Sequence, residues 1–229
     1  IGLSGKAANV GRAFGVAIEN YSVKGEIRFS VSTEPTVPAA LAPAIKSVRG
    51  LYTLTESPNY AMSAAKGISP NLTISSGTHF ISPLDFQKIY SLDDTYNGSG
   101  QIIGIVGRSR INSADISNFN AKTATSFFHP YEVVPAAFGG VDPGPPLTSP
   151  PGGSPIFGDQ GEATLDALRA GSVAQGAGTI LVVASDASGG IAVDAQYLVQ
   201  TTPVPAQVMS ISFGACESEG GPSGVSFWD

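Results

Sequence analysis

Four apolar segments of strand length alternate with helical segments in this 229-residue chain, and they restrict the fold more than any other feature. The segments are QIIGIV, YEVVPA, TILVVA and QVMSIS, at 101–106, 131–136, 179–184 and 207–212. Apolar strands separated by helices are typical of a mostly parallel sheet with helices packed on both faces. We therefore predict an α/β domain over residues 80–229.

Helical periodicity fills the spaces between these strands. The segments with apolar residues at helical spacing are SPLDFQKIY, SADISNFNAKTA, EATLDALRAGSVA and GIAVDAQYLVQ. Residues 139–158 precede the segment EATLDALRAGSVA, and 12 of these 20 residues are Gly or Pro. This composition predicts an irregular surface loop that leads into the helix EATLDALRAGSVA.

The N-terminal residues 1–56 predict a smaller α+β unit. KAANVGRAFGVAI has helical spacing, and YSVKGEIRFSVS alternates like a hairpin that turns at Gly25. PAALAPAIKSVRGL predicts a short helix that ends at Gly50. Residues 57–79 are rich in Ser, Pro and Gly, and we interpret them as a linker between the two parts.

Composition excludes several classes of function. Apolar residues make up 42% of the chain, enough for a core, while charged residues are only 13% against roughly 25% in an average domain. A net charge of −6 argues against nucleic-acid binding, and the longest apolar run is too short to span a bilayer. The single cysteine, Cys216, excludes a disulfide framework within the chain. This composition suits a secreted protein that works in acid.

The chain lacks the sequence patterns of a dinucleotide-binding site and of a serine–histidine catalytic site. The glycines at Gly98 and Gly100 precede a strand, whereas a dinucleotide fingerprint follows one. His79 and His129 are the only histidines, and no G-x-S-x-G motif accompanies them. We therefore expect both histidines to lie on the surface or in loops.

Two carboxylates, Glu162 and Asp166, lie four residues apart in EATLDALRAGSVA and therefore share one helix face. Like charges at this spacing disfavour a helix by a few tenths of a kcal/mol. One interpretation is a solvated helix face on which Asp166 pairs with Arg169. The other is a functional pair, because the neighbours are small or apolar and the helix lies at one end of a parallel sheet.

The motif GEATLDAL resembles the E-x-x-L-D helix of the sedolisins, the serine-carboxyl peptidases. FISPLDFQKIYSL, GQIIGIVG and QVMSISFGACES are similar, in order, to the opening segment, the first core strand and the S-x-S-[FWY]-G strand of that catalytic domain. Residues 5–51 resemble the second half of the sedolisin propeptide. The resemblance implies a subtilisin-like parallel sheet, incomplete here, preceded by a partial ferredoxin-like propeptide.

The resemblance also assigns roles to individual residues. Glu162 matches the catalytic glutamate of the family, and Asp166 matches the aspartate that hydrogen-bonds to it. We expect their carboxyl groups to approach within hydrogen-bonding reach. Ser212, Phe213 and Gly214 match the strand whose backbone lies along the substrate.

Other parts of the family's site have no counterpart in this chain. The oxyanion aspartate, the nucleophilic serine and the calcium ligands of the family all lie further along than Asp229. The resemblance thus implies an incomplete segment, since the chain also begins with Ile1 rather than Met. It implies Ca²⁺ for the complete enzyme but none in this segment, which we expect to be inactive alone.

The function that follows is a secreted, acid-acting endopeptidase precursor that is cleaved within the linker 57–79. Its expected partners are protein or peptide substrates and its own propeptide, without nucleic acid or membrane, and we expect a monomer. One alternative is a non-catalytic homologue that binds or inhibits. Another is an unrelated α/β domain for a small ligand, which a Glu162 side chain pointing to bulk solvent would favour.

Overall fold

The computed structural model describes residues 2–23, 25–52, 57–58, 72–73, 77, 79–93, 95–148, 155–186, 189–214 and 227–228. The helices are α1 (Ala7–Phe14), α2 (Pro83–Ile89), α3 (Ser113–Thr123), α4 (Pro155–Val173) and α5 (Gly190–Gln200). The longer strands are β1 (Ile18–Val23), β2 (Glu26–Val31), β6 (Ile102–Gly107), β7 (Tyr131–Val133), β8 (Gly178–Val183) and β9 (Val208–Ile211). Four two-residue strands complete the set: β3 (Ser57–Pro58), β4 (Leu72–Thr73), β5 (His79–Phe80) and β10 (Phe213–Gly214).

A four-stranded parallel sheet with the order β7-β8-β6-β9 forms the centre of the described structure. β6 is an inner strand, in register with β8 from Ile102 opposite Gly178 to Gly107 opposite Val183. The four strands are the ones that the apolar segments predict. Because all of them run in one direction, their carboxyl ends meet at one edge of the sheet.

One face of the sheet packs against α3 and α4. Ile105, Leu181 and Val183 project from this face and are fully buried. Ala163 and Ala167 of α4 join the same core, and their small side chains allow the helix to lie close to the strands. Burial of one Ile, Leu or Val side chain contributes about 1.5–3 kcal/mol.

The opposite face packs against α5. Val106 and Val182 pack in one core with Ile191 and Leu198 of α5. Each of the two valines is adjacent in sequence to a residue on the first face. Successive residues of a strand point to opposite faces, so both sides of β6 and β8 are covered. The predicted α/β class, with helices on both faces of a parallel sheet, is confirmed.

The N-terminal unit contains α1 and the antiparallel pair of β1 and β2. The segment predicted to be helical through Ile18 is helical only to Phe14, because Gly15 caps α1 in the left-handed conformation (φ 66°) and Ile18 begins β1. The hairpin turns at Gly25 (φ 84°), as predicted. The predicted helix over residues 38–51 is wrong, because only a single 3-10 turn forms at Ala42–Ala44. Pro43 lies inside that segment, lacks an N–H and opposes a longer helix.

Helix α4 is longer than predicted. It begins at Pro155, so the last four residues of the loop predicted over 139–158 are helical. Proline is tolerated in the first turn of a helix, where its missing N–H has no partner to lose. The additional turns bring Asp159 onto the same helix as Glu162.

The predicted linker, 57–79, and Cys216 lie largely outside the described residues, so the domain boundaries at 56 and 79 stay predictions. Within the linker, Ser57–Pro58 pairs with β10, and Leu72–Thr73 pairs with β5. None of the described helices combines the length and apolar character that a membrane-spanning helix needs.

Candidate functional site

The residues expected to be functional lie beside the carboxyl ends of the parallel strands. Ser212 directly follows β9, and Arg108, which the sequence analysis did not single out, directly follows β6. Helix α4 crosses the sheet next to them and presents Glu162 and Asp166. Open α/β sheets place their binding sites at this edge.

Glu162 is buried, with 2% of its surface exposed, and its Oε2 atom has no hydrogen-bond partner. Burial raises the pKa of its carboxyl group, and the charges of Asp166 and, more weakly, Asp159 raise it further. The Ser212 hydroxyl opposes these effects. The Glu162 side chain therefore does not point to bulk solvent, as it would be expected to in an unrelated small-ligand domain.

Asp166 accepts a hydrogen bond from the Ser212 hydroxyl, with 2.8 Å between Ser212 Oγ and Asp166 Oδ1. Its other oxygen, Oδ2, is buried without a partner, so Asp166 does not bond to the exposed Arg169. Burial raises the pKa of Asp166, and the hydrogen bond from Ser212 opposes that rise. The solvated pair with Arg169 is not formed.

The two carboxylates border one open cavity of about 800 Å³. Its apolar lining comes from Ile81, Phe86, Ile89, Leu165, Val173 and Ile211. Glu162 Oε2 and Asp166 Oδ2 both lack a partner, so the predicted hydrogen bond between the carboxyl groups does not use these atoms. The two carboxyl groups are coupled electrostatically, and the Ser212 hydroxyl lowers the pKa of both.

Phe213 and Gly214, expected to bind substrate through their backbone, form the two-residue strand β10. β10 pairs antiparallel with the chain's own Ser57–Pro58, with Phe213 opposite Pro58 and Gly214 opposite Ser57. An extended segment thus already lies along the strand that the resemblance assigns to substrate. Ser212, the residue before it, contacts Asp166, so this strand and the carboxylate pair are adjacent.

The sequence reasoning missed a charged cluster beside the pair. The Arg108 side chain is 6% exposed and forms ion pairs with Asp159 (2.6 Å) and Asp186 (3.3 Å). Its guanidinium carbon lies 4.6 Å from the ring centroid of Phe213. The signal was available, because Arg108 directly follows an apolar strand and Asp159 precedes Glu162 by three residues.

Asp194 of α5 is a second buried acid that the sequence reasoning missed. It is fully buried, and neither of its carboxylate oxygens has a hydrogen-bond partner. Burial raises its pKa to about 8, and the nearby N–H of Ala184 offsets only part of this effect. Asp194 is therefore neutral in acid and is the lone acidic residue in an otherwise apolar helix.

His129 and the possible metal ligands among the described residues do not contribute to this site, and the backbone of His79 lies in β5. His129 is exposed, with its Nδ1 atom 2.8 Å from the Pro130 carbonyl oxygen, in a loop as predicted. Among the described residues, no group of three or more His, Cys, Asp or Glu side chains is arranged to hold a metal ion.

The chain is 26% identical, over 226 residues, to kumamolisin from Bacillus sp. (strain MN-32), a peptidase of the sedolisin family. The match covers 97% of this chain but only 39% of kumamolisin, so the chain spans about two fifths of that protein. No protein-family model matches the chain. The similarity supports the resemblance to sedolisins that the motifs described above carry.

Proposed function

We propose that this chain supplies the general base of a serine-type endopeptidase of the sedolisin kind, with Glu162 as the base. The observation that carries the proposal is the burial of Glu162 beside Asp166 at the carboxyl edge of the sheet. A carboxylate that served only to solubilise a helix would lie in water with an ordinary pKa. Perturbed carboxylates in a cavity are typical of catalytic sites.

A glutamate suits a serine nucleophile in acid. The base takes the proton from the serine hydroxyl while the serine oxygen bonds to the peptide carbonyl carbon, and the proton then passes to the departing amine. Histidine, with a pKa of about 6.5, is protonated in acid and cannot begin this step. The raised pKa of Glu162 makes it a stronger base than an ordinary glutamate, and it is ionised above that pKa.

Asp166 is the proposed partner of the base. It faces the same cavity, and its charge raises the pKa of Glu162. The hydrogen bond from Ser212 holds the Asp166 side chain in place. Two coupled carboxylates titrate as a unit, so the pair can hold one proton over a range of pH.

The pairing of β10 with Ser57–Pro58 supports a peptide substrate. An extended peptide that adds to a strand binds through main-chain hydrogen bonds, with little dependence on its sequence. Ser57–Pro58 belongs to the segment 57–79, in which we propose activation cleavage. On this proposal, residues 1–56 act as the propeptide, and the segment that joins them to the catalytic part lies along the substrate strand before cleavage.

The rest of the machinery comes from outside residues 1–229. The family's nucleophilic serine, oxyanion aspartate and calcium ligands have no counterpart here, and this chain matches only 39% of kumamolisin. Secretion, action in acid, a monomeric state and Ca²⁺ in the complete enzyme belong to the same proposal.

The test is a peptidase assay in acid on the full-length polypeptide that contains this chain. Glu162→Gln should abolish turnover of a denatured protein while its circular dichroism spectrum stays unchanged. Asp115→Asn is the control, because Asp115 is an exposed acid on α3. Activity of the Glu162→Gln variant equal to the wild type would exclude Glu162 as the base. A wild type that binds peptide but never cleaves it would instead favour the non-catalytic homologue.

A further inference from the structure

Arg108 contacts both halves of the proposed site. Its Nη2 atom lies 2.6 Å from Oδ1 of Asp159, on the helix that carries the proposed base. Its guanidinium carbon lies 4.6 Å from the ring centroid of Phe213, in the strand proposed to bind peptide. The remaining ion pair, at 3.3 Å, ties it to Asp186 in the loop after β8.

We propose that Arg108 is a positioning residue that links the base-bearing helix α4 to the peptide-binding strand β10 through Asp159 and Phe213. The inference rests on the proposed function and extends it to a residue to which the family resemblance assigns no role. Arg108 itself follows β6, an inner strand with neighbours on both sides, so the link is anchored at an inner strand of the sheet.

The link reaches the base through Asp159. Residues three apart on a helix lie on one face, so Asp159 is one turn before Glu162 and on the same side. Burial raises the pKa of Asp159, and the charge of Arg108 opposes this rise. Arg108 therefore favours the ionised form of Asp159, and the charge of that form raises the pKa of Glu162.

The link reaches the substrate through Phe213. Phe213 is 8% exposed, and its ring lies 4.6 Å from the Arg108 guanidinium carbon. A planar guanidinium can stack on a ring while its edge binds two carboxylates, whereas a lysine ammonium is a point charge. Arginine at this position thus fixes the ring, and with it the backbone of Phe213, against the sheet.

Other charged and titratable groups near Glu162 do not duplicate this link. Asp166 on α4 contacts Ser212, while Arg169 of the same helix and Tyr90 after α2 border the cavity. Arg110, two residues after Arg108, pairs with Glu132 and Asp142 instead. Arg110 is therefore a matched control, because it is a neighbouring arginine with two carboxylate partners outside the proposed link.

The experiment uses the full-length polypeptide that contains this chain and measures two quantities. The first is the pKa of Glu162, from a carbon-13 carboxyl titration in which the Glu162 resonance is identified by its absence in Glu162→Gln. The second is the dissociation constant of a substrate peptide in the Glu162→Gln background, which is expected to bind without turnover. Both readouts give a result even if the wild type has no peptidase activity, so failure of the proposed function is seen separately.

Arg108→Lys should keep the Asp159 ion pair, leave the pKa of Glu162 unchanged and weaken peptide binding by roughly three- to tenfold. Asp159→Asn should lower the pKa of Glu162 and leave peptide binding within about twofold of the wild type. Arg110→Lys should change neither quantity. The proposal is overturned if Arg108→Lys changes only the melting temperature, or if Asp159→Asn leaves the Glu162 titration where it was.

Discussion

The Ser212 hydroxyl donates a hydrogen bond to Asp166 Oδ1 across 2.8 Å, joining residues 46 positions apart in the sequence. Ser212 directly follows β9 and Asp166 lies on α4, so this contact fixes the acidic helix against the carboxyl edge of the sheet. It also favours the ionised form of Asp166, because a hydroxyl binds a charged carboxylate oxygen more strongly than a neutral carboxyl oxygen.

Removal of that hydroxyl tests its role in setting the two pKa values. In Ser212→Ala we expect the pKa values of Asp166 and Glu162 to rise, since a hydrogen bond that favours the charged forms is lost. The acid limb of the rate profile of the full-length polypeptide should move to higher pH. Ser212→Thr keeps a hydroxyl and is the control. An unchanged acid limb in Ser212→Ala would show that Ser212 does not tune the pair.

Asp194 predicts the pH dependence of stability. Its pKa is about 8 in the folded protein and about 3.9 when unfolded, so the stability it contributes is complete below pH 4 and is lost as the pH rises towards 8. Asp194→Asn cannot ionise and should therefore lose less stability over this range, by an amount on the order of several kcal/mol. Urea unfolding at pH 4 and pH 8 measures the difference, with Asp115→Asn as the control. Equal losses in Asp194→Asn and the wild type would contradict the burial of a neutral Asp194.

Gly171 tests the packing of α4. An added Cβ at Gly171 would overlap the ring of Phe127, which lies in the core between α3 and α4. Gly171→Ala should destabilise the fold by about 1–3 kcal/mol even though alanine favours helices. Gly178→Ala is the comparison, because there the nearest side-chain atom, of Ile102, is 3.6 Å away. Thermal unfolding should show the lower melting temperature only for Gly171→Ala.

Residues 1–229 by themselves should have no peptidase activity. They contain the proposed base and its partner, but no serine in a motif for the nucleophile. β9 is also an edge strand of the described sheet, with Val208 55% and Met209 40% exposed, which favours aggregation. Incubation of the purified chain with a denatured protein at about pH 4, near the reference carboxylate pKa, should give no fragments. Cleavage that disappears in Glu162→Gln would show that a nucleophile is present in the chain.

The sequence predicted the sheet because apolar periodicity is local. The strands of the sheet are mostly apolar segments, and the segments that form the helices have apolar residues at helical spacing, so no distant contact was needed to find them. The helix expected over 38–51 failed because spacing alone does not weigh the cost of Pro43. The start of α4 was missed because a proline in a Gly-rich segment is typical of loops as well as of first helical turns.

The site was predictable only in part, because burial and partners come from the fold. The spacing of Glu162 and Asp166 indicated a shared face, but nothing local indicated that Ser212 would donate to Asp166. Arg108 and Asp159 are 51 positions apart, and their ion pair depends on how α4 lies across β6. Asp194 was the most detectable of the missed residues, since it is a lone acid in an apolar helix.

The central claim is that Glu162 takes the proton from the nucleophile, and one comparison tests it most directly. The measurement is the pH at which the carbon-13 carboxyl resonance of Glu162 titrates in the full-length polypeptide, compared with the acid limb of kcat/KM for a peptide substrate. We expect the two midpoints to coincide, above the reference pKa of about 4.3 for glutamate, because burial and Asp166 raise the pKa of Glu162. A Glu162 resonance that titrates at or below the reference value, or an acid limb that follows a different pKa, would contradict the claim.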